Sequence, residues 1–139
     1  MTERQVLVIE DNPDDEFLAL RALRRLGFHN VMVLRDGEEA LSCLGGIGSP
    51  QEGGSGTPPW FILLDLKLPK VDGIDVLQSV RENPRTRAVP VIVISSSQEE
   101  RDVRRCREIG ILSYLVKPVE SEKVAAVLRS VGLMAGEPP

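Results

Sequence analysis

Val6-Leu7-Val8-Ile9-Glu10-Asp11-Asn12-Pro13-Asp14-Asp15-Glu16 decides how this chain folds. Its first four residues are apolar without alternation, the pattern of a strand buried on both faces. The run stops at the acidic pair Glu10-Asp11. Asn12 is a good helix cap and Pro13 suits the first helical position. Asp14, Asp15 and Glu16 then favour the positive end of the helix dipole. The helix is expected to run to Leu26 and stop at Gly27. Ala19, Ala22, Leu23 and Leu26 recur at helical spacing and mark its core face. A buried strand thus passes directly into a helix, and the turn between them is acidic.

The same unit repeats outward from there. Val31-Met32-Val33-Leu34 is a second strand, followed by a short helix over 38–44. Residues 45–59 are rich in Gly, Ser and Pro, lack periodicity and read as a loop insertion. Phe61-Ile62-Leu63-Leu64 is a third strand ending on Asp65, and the next helix, from Gly73 to Glu82, has Ile74, Leu77 and Val80 on one side. Pro90-Val91-Ile92-Val93-Ile94 is a fourth strand ending on Ser95. A helix over 98–109, closed by Gly110, comes next. Residues 112–116 form a fifth strand ending on Lys117-Pro118. The last helix starts near Glu120, with Val124, Val127, Leu128 and Val131 as its core face. Five such units predict an α/β fold, a doubly wound parallel sheet with helices on both faces and right-handed crossovers. Ligands in such sheets sit beyond the carboxyl ends of the strands.

Bulk properties narrow the class. The chain has 139 residues, 42% of them hydrophobic and 27% charged, an ordinary composition for one globular domain. A single domain over 1–139 is expected, with its core at 5–132 and a short frayed tail at 133–139. The net charge of −4 gives no dominant attraction to nucleic acid or an anionic membrane. No apolar run is long enough to span a membrane, and the N-terminal residues lack the apolar stretch of a signal peptide. Cys43 and Cys106 have no metal-like spacing; they read as small buried apolar groups in a reduced, cytoplasmic compartment. The one histidine, His29, excludes a multi-histidine metal site and reads as an exposed turn residue.

The strand ends carry the chemistry. Glu10 and Asp11, Asp65, Ser95 and Lys117 stand at the carboxyl ends of four strands, and adjacent strands lie about 5 Å apart, so these side chains converge on one small volume. Singly, each is an ordinary cap, loop or surface residue. Together they resist a packing explanation. Clustered carboxylates suit a hard divalent cation such as Mg²⁺, or Mn²⁺ in its place. Asp65 is a carboxylate nucleophile able to form an aspartyl phosphate. Phosphoryl transfer is mainly positioning and charge neutralisation, which Lys117 and Ser95 can serve.

These motifs resemble the receiver domain of two-component response regulators. The likeness lies in Val-Ile-Glu10-Asp11, in Leu-Leu-Asp65-Leu-Lys-Leu-Pro69 with Asp72-Gly73, in Ile-Ser95-Ser96, and in Ser-Tyr114-Leu-Val-Lys117-Pro118. Ser95 follows Asp65 by 30 residues and Lys117 follows Ser95 by 22, intervals similar to those of chemotaxis-type receivers. The resemblance covers residues 6–131. It implies a flavodoxin-like sheet of order 2-1-3-4-5. It implies Asp65 as phosphoacceptor, Asp11 and Glu10 as Mg²⁺ ligands together with Asp65 and the Lys67 backbone carbonyl, and Lys117 as the cation on the phosphoryl group. Ser95 and Tyr114 would be the switch pair, and the Lys117–Pro118 peptide would be cis.

A narrower likeness, in Glu10-Asp11-Asn12-Pro13-Asp14-Asp15 and Asp65-Leu-Lys-Leu-Pro69-Lys70-Val71-Asp72-Gly73, is to single-domain regulators that partner phytochrome histidine kinases. It implies a phosphoryl group arriving from a kinase histidine. With no DNA-binding or enzymatic output domain expected in 139 residues, output is expected through protein contact or phosphate relay. Phe17 and Leu20, with Arg21, Arg24 and Arg25, are candidates for the kinase-docking patch. The face of the fourth helix, fifth strand and last helix is a candidate homodimer surface; the fourth helix carries Arg101, Arg104, Arg105 and Arg107, which otherwise read as a solvated face. Two departures stand out: the 45–59 insertion, and Lys67 at a position whose side chain often influences dephosphorylation in the family.

Rival readings fit less well. A haloacid dehalogenase-type phosphohydrolase wants a second aspartate two residues after the nucleophile, where this chain has Lys67. A flavodoxin-like cofactor site wants a phosphate-cradling loop after the first strand, where this chain is acidic. A degenerate receiver acting only as a binding module sits poorly with a complete acidic and lysine set.

Overall fold

A computed structural model describes residues 5–45 and 57–134. In chain order the elements are β1 (Val6–Ile9), α1 (Pro13–Arg25), β2 (Val31–Leu34), α2 (Gly37–Gly45), β3 (Ile62–Asp65), α3 (Gly73–Glu82), β4 (Val91–Ser95), α4 (Glu100–Ile109), β5 (Ser113–Val116) and α5 (Ser121–Ser130). The strands form one parallel sheet of order β2-β1-β3-β4-β5. The chain moves outward from β1 to β2, then returns to the other side of β1 for β3. The switch point therefore lies between β1 and β3, whose carboxyl ends carry Glu10 and Asp65.

Strand periodicity divides the core in two. Val6, Val8, Phe61, Leu63, Ile92 and Ile94 pack with Leu23 of α1 and Val124 and Leu128 of α5. Leu7, Ile9, Ile62, Leu64, Val91 and Val93 point the other way, onto Ala40, Leu77 and Cys106. Alternate residues of one apolar run thus serve opposite layers, and this is why the runs show no polar alternation. Each fully buried Leu, Ile or Val contributes about 1.5–3 kcal/mol of hydrophobic stabilisation. The rings of Phe28 and Phe61 meet edge to face, with centroids 5.2 Å apart. Only the edge strands loosen: β2 is partly exposed at Met32, and all four residues of β5 are half-buried.

Helix ends follow local chemistry. The Asn12 side chain accepts from the backbone N–H groups of Asp14 and Asp15 at the start of α1. At its end Gly27 takes φ +92, and Phe28 N–H donates to the Leu23 carbonyl. This is the glycine stop read from the sequence, in the geometry that satisfies the last carbonyls. Gly110, at φ +117, ends α4 as expected. His29 is exposed as expected, while Cys106 is buried and Cys43, at the edge of α2, is only half-buried.

Besides Cys43, three expectations change. The helix expected over 98–109 begins at Glu100, because the Ser95 hydroxyl accepts from Ser97 N–H and the Ser97 hydroxyl from Glu99 N–H. Those side chains satisfy backbone groups locally and delay the helix. Val131 is 46% exposed rather than core, since α5 ends at Ser130 and Val131 leaves helical geometry. Gly132 then turns the chain at φ +72, and Leu133 N–H donates to the Leu128 carbonyl. That turn sends Leu133 and Met134 back onto the core, so the tail expected to fray from 133 is packed for two residues. Residues 135–139, and residues 46–56 of the expected insertion, lie outside the described residues.

Candidate functional site

The five residues read from the strand ends gather at one edge. Glu10, just past β1, is buried, and its Oε1 accepts from Asn12 N–H at 3.2 Å. Asp11 follows and is exposed. Asp65, the last residue of β3, is buried, and its two oxygens have different partners. Oδ1 accepts from Lys67 N–H at 3.1 Å, and Oδ2 accepts from Lys117 Nζ at 3.1 Å. The β3–α3 loop is held close by glycine: a Cβ on Gly73 would stand 2.5 Å from the Asp65 carbonyl oxygen.

Lys117 is the electrostatic centre. Its ammonium lies 3.0 Å from Glu10, 2.7 Å from Asp15 and 3.1 Å from Asp65. Its backbone N–H donates to the Ser95 carbonyl, and the Lys117–Pro118 peptide is cis, as expected. Burial works against the charge on Lys117, yet the carboxylates of Asp15, Glu10 and Asp65 outweigh it and hold the ammonium protonated well above its ordinary range. Burial, with Asp65 beside it, pushes the Glu10 carboxyl up to about 7 despite the opposing pull of Lys117.

Carboxylate oxygens of Glu10, Asp11 and Asp65 lie within 4.8 Å of one another. All three are hard anionic donors, and a cation with metal–oxygen distances of about 2 Å fits such a spacing. One lysine cannot neutralise four nearby carboxylates, and Asp11 has the exposure to admit an ion from solvent. The donor set thus fits Mg²⁺ or Mn²⁺.

The other expected residues flank this centre. Ser95 ends β4 with no exposure, and its Oγ faces the β4–α4 loop through Ser97 N–H at 3.1 Å. Tyr114 of β5 is half-buried and its hydroxyl donates to the Ser97 carbonyl at 2.8 Å. Burial raises the Tyr114 phenol above its ordinary range, with Ser95 opposing in part. Lys67 gives its backbone N–H to Asp65, while its side chain leads away toward Asp102 of α4. Phe17 is 63% exposed on α1, with Leu20 half-buried and Arg21, Arg24 and Arg25 exposed around it. Arg101, Arg104, Arg105 and Arg107 are exposed on α4.

Asp15 and Asp102 were not anticipated as part of this neighbourhood. Asp15 had a readable signal. It is the third helical residue after the Asn12 cap, a position whose side chain reaches back over the helix start and so toward the strand end. Asp102 had none, because its partner Lys67 is distant in sequence.

The response regulator receiver domain matches residues 6–129. The chain belongs to that family. As a receiver it is 39% identical over 127 residues to the probable methanogenesis regulatory protein FilR2 of Methanothrix harundinacea, covering 91% of this chain and 79% of that one. Among solved structures, the bacteriophytochrome response regulator AtBRR is 41% identical with TM-score 0.81, covering 96% of each chain. The Mn²⁺-bound form of the response regulator Rcp1 is 31% identical with TM-score 0.79, covering 99% of each chain. The receiver is thus close to the phytochrome-associated response regulators, and the flavodoxin-like order expected for its sheet is the one found. Family membership sets aside the dehalogenase and flavodoxin readings. No helix among the described residues is long and apolar enough to cross a membrane.

Proposed function

We propose that this response regulator takes a phosphoryl group from a phosphohistidine of a partner kinase onto Asp65. The carrying observation is the Asp65 carboxylate itself: one oxygen is held by the backbone, the other by the Lys117 ammonium, and it stands among further carboxylates at the switch point of the sheet. An Asp65 oxygen bonds to phosphorus as the phosphorus–nitrogen bond breaks, and the imidazole leaves. Lys117 balances the charge on one phosphoryl oxygen and Ser95 hydrogen-bonds to another. Mg²⁺, held by Asp11, Glu10, Asp65 and the Lys67 carbonyl, would supply the remaining neutralisation of phosphoryl charge. Loss of the phosphoryl group to water is the only other reaction assigned to the chain.

The readout assigned to the chain is a two-state surface. Ser95 moves toward the new charge, Tyr114 gives up Ser97 and turns inward, and the α4–β5–α5 face changes shape. That face would contact protein partners, a second copy of the chain included. The similarity to the bacteriophytochrome response regulator AtBRR supports a phytochrome kinase as the donor, docking on α1 around Phe17 and Leu20, in the cytoplasm. A receiver acting by protein contact or phosphorelay, with no nucleic acid or membrane partner, is the matching organisation.

The test is intact mass after incubation with Mg²⁺ and acetyl phosphate. The wild type gains the mass of one phosphoryl group and Asp65→Asn gains none. A gain that persists in Asp65→Asn, or no gain in either, refutes the assignment.

A further inference from the structure

The Lys117 ammonium has three N–H donors and three anionic neighbours. Asp15 Oδ2 is nearest at 2.7 Å, with Glu10 Oε2 at 3.0 Å and Asp65 Oδ2 at 3.1 Å. The neighbours differ in what else they face. Glu10 and Asp65 belong, with Asp11, to the carboxylates whose oxygens lie within 4.8 Å of one another; among the described residues Asp15 is not part of that group. Asp15 also comes from a different element. It stands in the first turn of α1, where its backbone N–H donates to the Asn12 side chain at 3.1 Å. The cap of α1 therefore fixes its place independently of the acceptor loop. A divalent cation and the ammonium compete for Glu10 and Asp65. Oxygens that these two turn to the cation hold the ammonium less, and the two positive centres repel. The Lys117 side chain is only 14% exposed, so an ammonium that loses partners there must keep another anion or leave for solvent. Of its three partners, Asp15 is the anion outside the metal-holding group.

We propose that Asp15 is a positioning residue that takes over the Lys117 ammonium when Glu10 and Asp65 turn to a divalent cation, so that both positive charges stand at the acceptor together. This rests on the assignment of Mg²⁺ to Glu10, Asp11 and Asp65. Lys117 then keeps the shortest of its three contacts and relaxes the other two. Anchored on the α1 side, its ammonium stays within reach of Asp65 and of an oxygen on an incoming phosphoryl group. Without Asp15, Lys117 has no anion that the metal does not also claim. Its ammonium is then released toward solvent once Glu10 and Asp65 are committed, and the acceptor loses one of its two positive charges. In the absence of metal the same loss does not follow, because Glu10 and Asp65 still hold the ammonium. Asp15 is thus needed for Lys117 only while the metal is bound, and this condition separates positioning from a plain structural contact.

The experiment measures how fast the Lys117 amine is methylated by formaldehyde and borohydride, read by peptide mass, with EDTA and with saturating Mg²⁺. The wild type is expected to keep Lys117 protected in both conditions. Asp15→Asn is expected to keep it protected in EDTA and to lose protection in Mg²⁺, with labelling faster by about three- to tenfold, the range of one partly exposed ion pair. Asp15→Glu, which keeps the charge, is expected to restore protection. Asp14→Asn removes the same charge from the same turn without touching Lys117, and is expected to match the wild type. At saturating Mg²⁺, loading of Asp15→Asn by acetyl phosphate is expected to fall below that of Asp14→Asn by a similar factor. Protection of Asp15→Asn that Mg²⁺ leaves unchanged overturns the inference, whether Lys117 stays covered in both conditions or is open in both. Loading equal to that of Asp14→Asn overturns it as well. Calorimetric titration of the wild type with Mg²⁺ reads the metal assignment separately; no binding there refutes that assignment and the inference with it.

Discussion

Asp15 and Lys117 lie 102 residues apart in the chain and 2.7 Å apart in space. This contact closes the site, joining the first turn of α1 to the loop after β5. It also gives Lys117 a third carboxylate partner beside Glu10 and Asp65. Lys117→Met leaves three carboxylates facing one another without their cation. The expected cost is about 3–5 kcal/mol of unfolding free energy in metal-free buffer, the cost of breaking a buried pair from one side. Asp15→Asn leaves the lysine with two partners, and the expected loss is about 1 kcal/mol. Urea unfolding with EDTA measures both, and equal losses in the two variants would contradict this order.

The Glu10 carboxyl, raised from 4.5 to about 7, fixes a pH dependence. Between those values the folded protein holds a proton on Glu10 that the unfolded chain has released. Stability contributed by the protonated form is complete below about 4.5 and is lost as pH rises through about 7. Metal-free wild type is therefore expected to lose stability across that window, and Glu10→Gln is expected to flatten the curve there. The same proton competes with a divalent cation, so Mg²⁺ affinity measured by titration calorimetry is expected to fall as pH drops below about 7. An identical pH profile in Glu10→Gln would exclude this carboxyl as the source.

Gly73 tests how tightly the acceptor loop is held. A Cβ there would stand 2.5 Å from the Asp65 carbonyl oxygen and 2.6 Å from the Leu66 Cα. Both are backbone atoms and cannot rotate away. Gly73→Ala is expected to cost about 1–3 kcal/mol in denaturant unfolding, as overpacking does. It is also expected to slow phosphorylation by acetyl phosphate, because relief requires the loop carrying Asp65 to shift. A variant with unchanged stability and loading would show that the loop is free to yield.

Phe17 separates docking from chemistry. Its side chain is 63% exposed on α1 and lies outside the core clusters. Phe17→Ser is expected to change stability by less than about 0.5 kcal/mol, as surface substitutions do. Transfer from a purified phytochrome kinase is expected to fall while loading by acetyl phosphate stays intact. Equal loss of both activities would place the defect in the site instead of the docking patch.

Much of this receiver is legible in one dimension because its elements obey local rules. The runs Val6–Ile9 and Val91–Ser95 are strands for the reason their composition suggests, with both faces buried. Gly27 and Gly110 stop helices by adopting positive φ. Glu10, Asp65, Ser95 and Lys117 could be assigned to one edge because each ends an apolar run. The misreadings arose where short-range or folding-back contacts compete with periodicity. Ser95 and Ser97 tie up the backbone N–H groups ahead of α4, and Gly132 turns Leu133 and Met134 onto the core while Val131 is left outside.

By itself the sequence determined the strand–helix alternation, the acidic turn after the first strand and the set of residues at the carboxyl edge. Each of these follows from side chains adjacent along the chain or spaced by a regular period. Only the tertiary structure decided that Asp15 joins Glu10 and Asp65 on the Lys117 ammonium, that Tyr114 bonds to the Ser97 carbonyl, and that Lys67 leans on Asp102. Those pairings depend on where separate elements come to rest, and that is set by packing both faces of the sheet, which no local pattern encodes.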